Sequence, residues 1–468
     1  MLSRFKHIKP VNAPLWFLFL LLIYLALLQL PLGGHIDWAR NLGQLSLFAI
    51  TLAYGLMYWP HLQQTISIHR IPLTLFFLVI IWIAFQWVPL PIDLVAVLSP
   101  ESAKAYNNAG LSFASISLDK PATFEALLKA GSYFCIFVLG LALFQNEKTL
   151  LIALLFMVIA GTYNAFYGAF EILSGQDLSL IHQVENGHRA SGTFVYHNHF
   201  ANFLILCLSA GLGYFIATLS HRRFSSKGAY AKALLFSILE PKSTVRLCLT
   251  IMVIALVMSH SRMGNTAFFV SLCSVSVLYM LFGKQVPKTF KVLVISMLII
   301  DIFVVSAWFG LEEVAERLES TSMEVENRDE VVEDGLKMLE KFPLTGSGAG
   351  SFEYAWTTYL SENIRGRYTQ AHNDYLQFAI EYGIPVLMIL GLFIIHVLFT
   401  TSKVLFNTEN KYIAGAAAAS LMATLGMLMH MSVDLPLVLP AISSYFVLLL
   451  AIGYSAFAIE KNKLIQAH

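Results

Sequence analysis

Charged residues are scarce in this chain, and their scarcity decides its class. Asp, Glu, Lys and Arg make up 13% of the 468 residues, hydrophobic residues make up 57%, and the mean hydropathy is +0.68. Soluble domains carry about a quarter charged residues, so the composition excludes a soluble globular protein. It predicts an all-α polytopic membrane protein, because helices satisfy their own backbone hydrogen bonds within the bilayer.

An excess of charge of one sign is also missing, and cysteine is rare. The formal net charge is +1, and no basic stripe with interleaved aromatic residues occurs. Nucleic acid is therefore not expected as a partner. The four cysteines all lie in apolar blocks without a CxxC pair, and we interpret them as small buried hydrophobic residues: Cys135, Cys207, Cys248 and Cys273.

Long apolar runs predict about twelve transmembrane helices, with both termini on the same side. The first run follows a basic segment and is typical of a signal peptide or a first span; its length and the lack of an Ala-x-Ala site favour the span. Asp301 lies inside the ninth span, where it is either a proton-relay residue or a hydrogen-bonded structural acid. The predicted spans are 14–30, 39–59, 72–90, 122–144, 149–173, 198–219, 246–260, 263–282, 291–310, 384–402, 412–433 and 436–458.

The positions of Lys and Arg predict the orientation. Residues 221–246 and 283–291 and the C-terminal tail are rich in Lys and Arg, and the positive-inside rule assigns such short segments to the cytoplasm. Both termini are then cytoplasmic. The long polar segment 311–383 is placed on the outer side.

Four regions follow from this pattern. Residues 1–173 form N-terminal transmembrane helices, 174–310 form a transmembrane region with arginines at its outer face, and 384–468 form C-terminal helices. Residues 311–383 have ordinary mixed composition and cannot lie in hydrocarbon, so we expect a polar lobe at the membrane surface. Within it, the apolar spacing of residues 327–341 predicts an amphipathic helix.

A glycine-rich turn follows this helix at residues 346–352. Its backbone N–H groups offer a cradle for phosphate. The turn lacks the Lys-Ser/Thr of a nucleotide-binding loop, so the indication is weak.

Three polar groups are predicted to meet at the outer face. The loop 174–199 contains Arg189, the tight connection between the seventh and eighth spans contains Arg262, and the lobe contains His372. An Arg at a helix end often extends to lipid phosphate, and this alternative stands for both arginines. The small neighbours of Arg262 and the Gly192 turn after Arg189 favour a function instead.

Four histidines lie close together in the chain, at His182, His188, His197 and His199. Their spacing matches no helical or knuckle pattern of metal ligands, and no clustered carboxylates or cysteines accompany them. A metal site is therefore the weaker interpretation.

Several motifs in this order resemble the O-antigen ligase and polymerase family of bacterial envelope glycosyltransferases. They cover residues 185–390 most closely. The motifs are Arg189-Ala-Ser-Gly-Thr-Phe, His197-Asn-His-Phe-Ala, Ser261-Arg-Met-Gly, Pro343-Leu-Thr-Gly-Ser-Gly-Ala-Gly-Ser-Phe and His372-Asn-Asp-Tyr-Leu-Gln-Phe-Ala-Ile-Glu-Tyr-Gly.

The resemblance implies a fold of the integral-membrane (GT-C type) glycosyltransferases in the bacterial inner membrane, with the large loop in the periplasm. It implies transfer of a glycan from an undecaprenyl-diphosphate carrier to a hydroxyl of a glycolipid, glycan or protein acceptor, without metal or cofactor. Physical chemistry agrees, because arginine forms bidentate hydrogen bonds with phosphate and never deprotonates.

The resemblance and the residues together suggest roles. We expect His372 to act as general base on the acceptor hydroxyl; the alternative is a histidine that only caps the following helix. Arg262 and Arg189 are expected to stabilise the leaving diphosphate. Further substrate contacts are expected from Arg328, Asn373, His197, Asn198 and Glu381.

Three functions remain open on the sequence. A ligase joins a finished chain to its acceptor, and a polymerase extends the chain on its carrier by the same chemistry. A transporter of lipid-linked glycans is the third; it is less favoured because no internal repeat is seen and the polar groups gather outside the midplane. The sequence does not reveal the sugars.

Overall fold

The computed structural model describes residues 14–175, 178–183, 189–194, 196–219, 241–284, 286, 290–292, 294–299, 322–359 and 369–467. Asp301, His188 and the end of the predicted ninth span lie outside these residues, as do parts of the predicted lobe. The described chain is almost wholly helical, apart from one two-stranded sheet.

The first half of the chain contains nine helices within the described residues: α1 (Leu15–Leu28), α2 (Asp37–Met57), α3 (Trp59–Ile68), α4 (Arg70–Trp87), α5 (Ile92–Leu98), α6 (Pro100–Asn108), α7 (Lys120–Leu143), α8 (Glu147–Leu173) and α9 (His197–Thr218). Strands β1 (Leu90–Pro91) and β2 (Phe113–Ala114) pair antiparallel around α5 and α6.

The second half continues with α10 (Pro241–Met258), α11 (Arg262–Phe282), α12 (Ser322–Lys341), α13 (Phe352–Tyr359), α14 (Asp374–Tyr382), α15 (Ile384–Asn407), α16 (Lys411–Met431) and α17 (Pro440–Ala467). A shorter apolar helix covers Phe290–Ile299. Short 3-10 turns lie at Leu32–Gly34 and Pro436–Val438.

Within the described residues, eight helices are long and apolar enough to cross a membrane. They are α4, α7, α8, α9, α11, α15, α16 and α17. The pair α2 and α3 makes a ninth if it is one span. Apolar helices at Leu15–Leu28, Thr244–Met258 and Phe290–Ile299 coincide with other predicted spans but are shorter, so the total of twelve stays a prediction.

Helix α3 was not predicted from the sequence. It follows α2 after one residue, and the two axes differ by 102°. Pro60 stands in the first turn of α3, where proline lacks an N–H that would be unsatisfied anyway. The break at Tyr58 separates an apolar span from a short helix, and hydropathy alone does not show such a bend.

Helices α9, α16 and α17 form the centre of the bundle and are the most buried spans. Helices α9 and α16 cross closely where Gly213 meets Gly415. A Cβ atom on Gly213 would lie 2.4 Å from the Gly415 carbonyl oxygen. Small residues thus allow the backbones to touch, as in membrane helix packing generally.

The two ends of the bundle carry different contacts. At one end, Glu147 accepts hydrogen bonds from Lys463 and Asn410 at 2.7 and 2.6 Å. At the other end, the Leu118 N–H donates to the Ser347 carbonyl at 2.9 Å, so the loop before α7 joins the lobe after α12. These pairings join segments that the charge pattern assigns to the same side. Which side is periplasmic remains a prediction.

The amphipathic helix of the lobe is confirmed, and of the apolar residues expected on its buried face, Val331, Val332, Leu336, Leu339 and Phe342, only Leu336 lies outside that face. Helix α12 begins at Ser322, five residues before the predicted start. Val331, Met338 and Phe342 are buried, whereas Leu336 is 50% exposed. Residues 331, 338 and 342 are spaced seven and four residues apart, so they lie on one face of the helix. Leu336 lies outside this face and is exposed.

Candidate active site

His372 lies directly before α14, at the start of the motif that the sequence analysis singled out. Its φ of +50° places it in the left-handed region, which is uncommon for a residue with a side chain. The Asn373 Oδ1 accepts the Leu376 N–H at 3.0 Å and so caps α14. Its Nδ2 donates to the Ser432 carbonyl at 2.9 Å. Asn373 therefore does the capping, while the imidazole of His372 is half-buried beside it.

The loop between α16 and α17, residues 432–439, is held against this motif. The Leu437 N–H donates to the Asp374 Oδ2 at 3.3 Å, and the Tyr375 hydroxyl donates to the Leu428 carbonyl at 2.7 Å. Burial raises the pKa of Asp374 well above its usual value, and nearby Asp434 raises it further. Burial therefore favours the protonated form of Asp374.

Arg189 begins an ordered turn, as its sequence predicted. The Ala190 N–H donates to the Met258 carbonyl at 3.0 Å, and the Thr193 N–H and hydroxyl both donate to the Asn164 Oδ1. Gly192 has φ +55°, and a Cβ there would lie 2.7 Å from the Phe200 ring. The turn is thus fixed on α8 and α10 while the Arg189 side chain is exposed.

The turn brings Arg189 to the start of α9. The Arg189 Nη1 donates to the His197 Nε2 at 3.1 Å, which places the lone pair of the imidazole on this nitrogen. Tyr196 packs edge-on against His197 and His199. The Asn198 Nδ2 donates to the Tyr196 hydroxyl at 2.8 Å.

The connection between α10 and α11 consists of residues 259–261 and is as tight as predicted. Ser261 caps α11 by accepting the Gly264 N–H at 3.1 Å. Gly264 packs on α9, since a Cβ there would lie 2.6 Å from the Ala201 Cβ. Exposed Arg262 therefore begins α11 beside the first turn of α9, and His260 before it has φ +55°.

These parts form one cluster of histidines, which we call the histidine cluster: His197, His199, His260, His372 and His430. His197 interacts electrostatically with Arg189, His260 and His199. His199 interacts with His372, with Asp434 and with the backbone of Leu435. The structure thus joins Arg189 to His197, and His372 to His199 two residues further on, with Arg262 at the adjoining helix start.

Glu381 lies near the end of α14, and its side chain contacts the glycine-rich turn. Its Oε2 accepts the Gly350 N–H at 2.8 Å and its Oε1 accepts a hydrogen bond from Gln377 at 3.1 Å. Buried Gln86 joins the same turn, because its Nε2 donates to the Thr345 and Glu381 carbonyls, both at 2.8 Å. The contact of Glu381 with substrate stays a prediction.

The prediction that the glycine-rich turn cradles phosphate is wrong. The N–H groups of residues 346–351 all donate to acceptors within the protein. Among these acceptors are the Ile380 and Glu381 carbonyls and the Gln86 Oε1. The glycines serve close packing instead: Gly346 has φ +71°, and a Cβ there would lie 2.2 Å from the Glu381 carbonyl oxygen.

Glu381 predicts a pH-dependent stability. Burial raises its pKa from 4.5 to about 7, so the folded state favours the protonated acid. Its stabilising contribution to the free energy of unfolding is complete below about pH 4.5. This contribution, up to about 3 kcal/mol, is lost as the pH rises through 7. We expect wild-type protein in detergent to melt at lower temperature at pH 8 than at pH 5, and Glu381→Gln to flatten this dependence.

The matched control is Glu333→Gln, which changes a carboxylate with 71% side-chain exposure on α12. Its melting temperature should follow the wild-type dependence on pH. If the melting temperature depended on pH equally in wild type and in Glu381→Gln, the assignment of this dependence to Glu381 would be wrong.

Two further predictions concern the Arg328 side chain and the independence of the reaction from metal. The backbone of Arg328 lies in α12, but its side chain is outside what the structure describes. Within the described residues, no group of three or more His, Cys, Asp or Glu side chains is arranged to hold a metal ion. Metal independence remains a prediction.

Sequence reasoning missed Asp434 and His430. Both are buried, with 3% and 0% of their surface exposed, and both belong to the histidine cluster or contact it. His430 sits at the end of an apolar span, where a lone histidine reads as a core residue. An aspartate just past a span end, four residues after a histidine, was the available signal.

Fold and site define a polytopic helical membrane protein whose arginines and histidines gather at one end of the bundle. Residues 247–391 match the family described as O-antigen ligase. The motif resemblance is thereby confirmed for this segment, which contains Arg262, His372 and Asn373 and indicates a glycosyltransferase-like enzyme that handles lipid-linked glycans. No match to an individual curated protein was found.

Proposed function

We propose that the protein is a glycosyltransferase at the periplasmic face of the inner membrane, which moves a glycan from undecaprenyl diphosphate to an acceptor hydroxyl. The observation that carries the proposal is the convergence of Arg189, the start of α11 at Arg262, and His372 at one end of the bundle. His372 and Arg262 also lie in the segment that matches the O-antigen ligase family.

The reaction replaces one bond to the anomeric carbon by another. The acceptor oxygen attacks this carbon while the bond to the diphosphate oxygen breaks, and the diphosphate leaves with the electron pair. The proton of the hydroxyl passes to the imidazole of His372. General-base assistance of this kind contributes about 10² to 10⁴ in rate.

The arginines supply the charge stabilisation. Arg189 and Arg262 are exposed at the ends of fixed backbone segments, where a lipid headgroup has access. A guanidinium about 4 Å from the developing charge contributes on the order of 4 kcal/mol at an effective dielectric near 20. Two such groups would supply the stabilisation that a metal gives in other transferases.

Ligase activity is the first form of the proposal, and polymerase activity is the second. Both need the same donor chemistry and differ in the acceptor. A transporter is less favoured, because the site lies at an end of the bundle and joins a candidate base to cations.

Envelope glycans of a deletion strain, separated on gels and weighed by mass spectrometry, test the proposal. Full-length chains that accumulate on the carrier identify a ligase, and single repeat units on the carrier identify a polymerase. Donor that accumulates on the cytoplasmic side would overturn the enzyme in favour of a transporter. A normal glycan profile would overturn all three.

A further inference from the structure

An open pocket lies at the end of the helical bundle opposite the proposed active site. Its volume is about 330 Å³, which is within the range of ligand pockets in proteins. Five residues of α8 between 147 and 155 form one wall, and Tyr214 of α9 and Tyr412 of α16 line the rest. Helix α9 begins at His197 in the proposed active site, and Tyr214 lies about 25 Å further along this helix.

The α8 wall of the pocket changes from charged to apolar along its length. Glu147 and Lys148 stand in the first turn of the helix. Leu151, Ile152 and Leu155 follow at intervals of three and four residues, so these side chains share one face of α8. All three are half-buried. A phospholipid has the same polarity, because its charged headgroup adjoins long apolar chains.

Positive charge exceeds negative charge around the pocket. Glu147 is already paired within the protein, since its Oε1 accepts hydrogen bonds from the Lys463 Nζ at 2.7 Å and from the Asn410 Nδ2 at 2.6 Å. Lys463 therefore balances the charge of Glu147. Exposed Lys148 adds a further positive charge at the rim.

A second ammonium group is fixed beside the pocket. The Lys411 Nζ donates to the Leu219 carbonyl at 3.0 Å and lies 5.1 Å from the centre of the Tyr412 ring. This hydrogen bond uses one of the three N–H groups of the ammonium. Tyrosines such as Tyr412 and Tyr214 are enriched at membrane–water boundaries, where their rings lie at the level of the lipid headgroups.

The charge pattern of the chain predicts which leaflet this end of the bundle meets. The C-terminal tail, to which Lys463 belongs, is among the segments that the positive-inside rule assigns to the cytoplasm. Anionic lipids of the cytoplasmic leaflet attract basic side chains near the membrane surface. A phosphate headgroup of this leaflet is therefore the ligand whose charge complements the pocket.

We propose that this pocket binds an anionic phospholipid of the cytoplasmic leaflet. Lys148 binds the phosphate at the rim, Lys411 adds positive charge beside Tyr412, and one acyl chain packs against the apolar part of the α8 wall. A zwitterionic phospholipid fits less well, because the excess positive charge repels its own ammonium group. The bound lipid contacts α8, α9 and α16, and so it holds three spans of the bundle together at this end.

Lipid binding is measured on the full-length protein, purified in a mild detergent and titrated with one lipid at a time. Dioleoyl phosphatidylglycerol is anionic, dioleoyl phosphatidylcholine is zwitterionic, and glycerol 3-phosphate is an anion without chains. Native mass spectrometry gives the fraction of protein that carries a lipid at each concentration. We expect the wild type to bind phosphatidylglycerol about tenfold more tightly than phosphatidylcholine, and glycerol 3-phosphate not to displace it.

The charged part of the pocket is tested by Lys148→Glu, which should lower the affinity for phosphatidylglycerol about thirtyfold. An acidic residue is favoured in the first turn of a helix, so this variant should fold as the wild type does. If it does not fold, Lys148→Gln replaces it with an expected loss of about fivefold. The control is Lys403→Glu, an exposed position near the end of α15 at the same end of the bundle, and it should bind as the wild type does.

The apolar part of the pocket is tested by Leu155→Trp, which fills space without changing the charge. Displacing about two CH₂ groups of the acyl chain from the pocket suffices for a roughly tenfold loss of affinity. The control is Ile159→Trp, one turn further along α8 at an exposed position outside the pocket. It should keep the wild-type affinity.

Three results would each overturn the inference. Equal affinity of the wild type for the two phospholipids would exclude recognition of an anionic headgroup. Displacement by glycerol 3-phosphate would show a site for a soluble anion rather than for a lipid. Wild-type affinity for phosphatidylglycerol in Lys148→Glu or in Leu155→Trp would show that the lipid binds elsewhere on the protein.

Discussion

His372→Asn is expected to lower the rate of glycan transfer by about 10² to 10⁴. The imidazole is the proposed proton acceptor, and no other half-buried base occupies the start of α14. Asparagine suits the test because it tolerates the positive φ of this position better than alanine does. The measurement is carrier release by purified protein, with complementation of a deletion strain beside it.

The control for this change is Thr369→Ala, three residues earlier at an exposed position. It should keep the wild-type rate. Protein amount and melting temperature of His372→Asn should also stay close to wild type, since Asn373 rather than His372 caps α14. A variant that folds and transfers glycan within threefold of wild type would remove His372 from the mechanism.

The sequence predicted the local features of the site well. Asn373 was expected to contact substrate, whereas in the structure it caps α14, a role typical of an Asn that precedes an apolar periodic segment. The turn after Arg189 was recognisable from Gly192. The tight connection at Arg262 followed from two adjoining apolar blocks with almost no loop between them.

Features that depend on distant contacts were not predictable. Gln86 reads as a polar residue near a span end, yet it is fully buried and hydrogen-bonds the glycine-rich turn about 260 residues later. Asp434 joins the cluster only because the loop 432–439 folds back on α14 and α9. Hydropathy predicts whether a segment is apolar enough to span the membrane. It does not predict contacts between side chains on different helices, and these roles depend on such contacts.

The glycine-rich turn shows why a motif needs its surroundings. Its sequence gives a weak indication of a phosphate cradle and is also compatible with a tight packing turn. The difference lies in where the N–H groups point, and in this fold they point to Ile380, Glu381 and Gln86. The turn holds the lobe on the bundle, and phosphate binding is proposed for the arginines instead.

Arg262→Ala and Arg189→Ala are each expected to lower kcat/KM by about 10² to 10³. An energy of about 4 kcal/mol per guanidinium, from charges ~4 Å apart at a dielectric near 20, corresponds to roughly a thousandfold in rate. Lysine at either position should recover part of the loss, since it keeps the charge but not the bidentate geometry. Carrier release at several donor concentrations separates kcat from KM.

The double variant decides whether both arginines act on one diphosphate. If they do, its loss should be smaller than the product of the single losses, because either change alone already disturbs the shared anion. Thr266→Ala is the control, one turn along α11 from Arg262 and equally exposed. If both single variants kept wild-type rates, the alternative that these arginines only bind lipid phosphate would be favoured. The positive charge that stabilises the leaving group would then have to come from other residues.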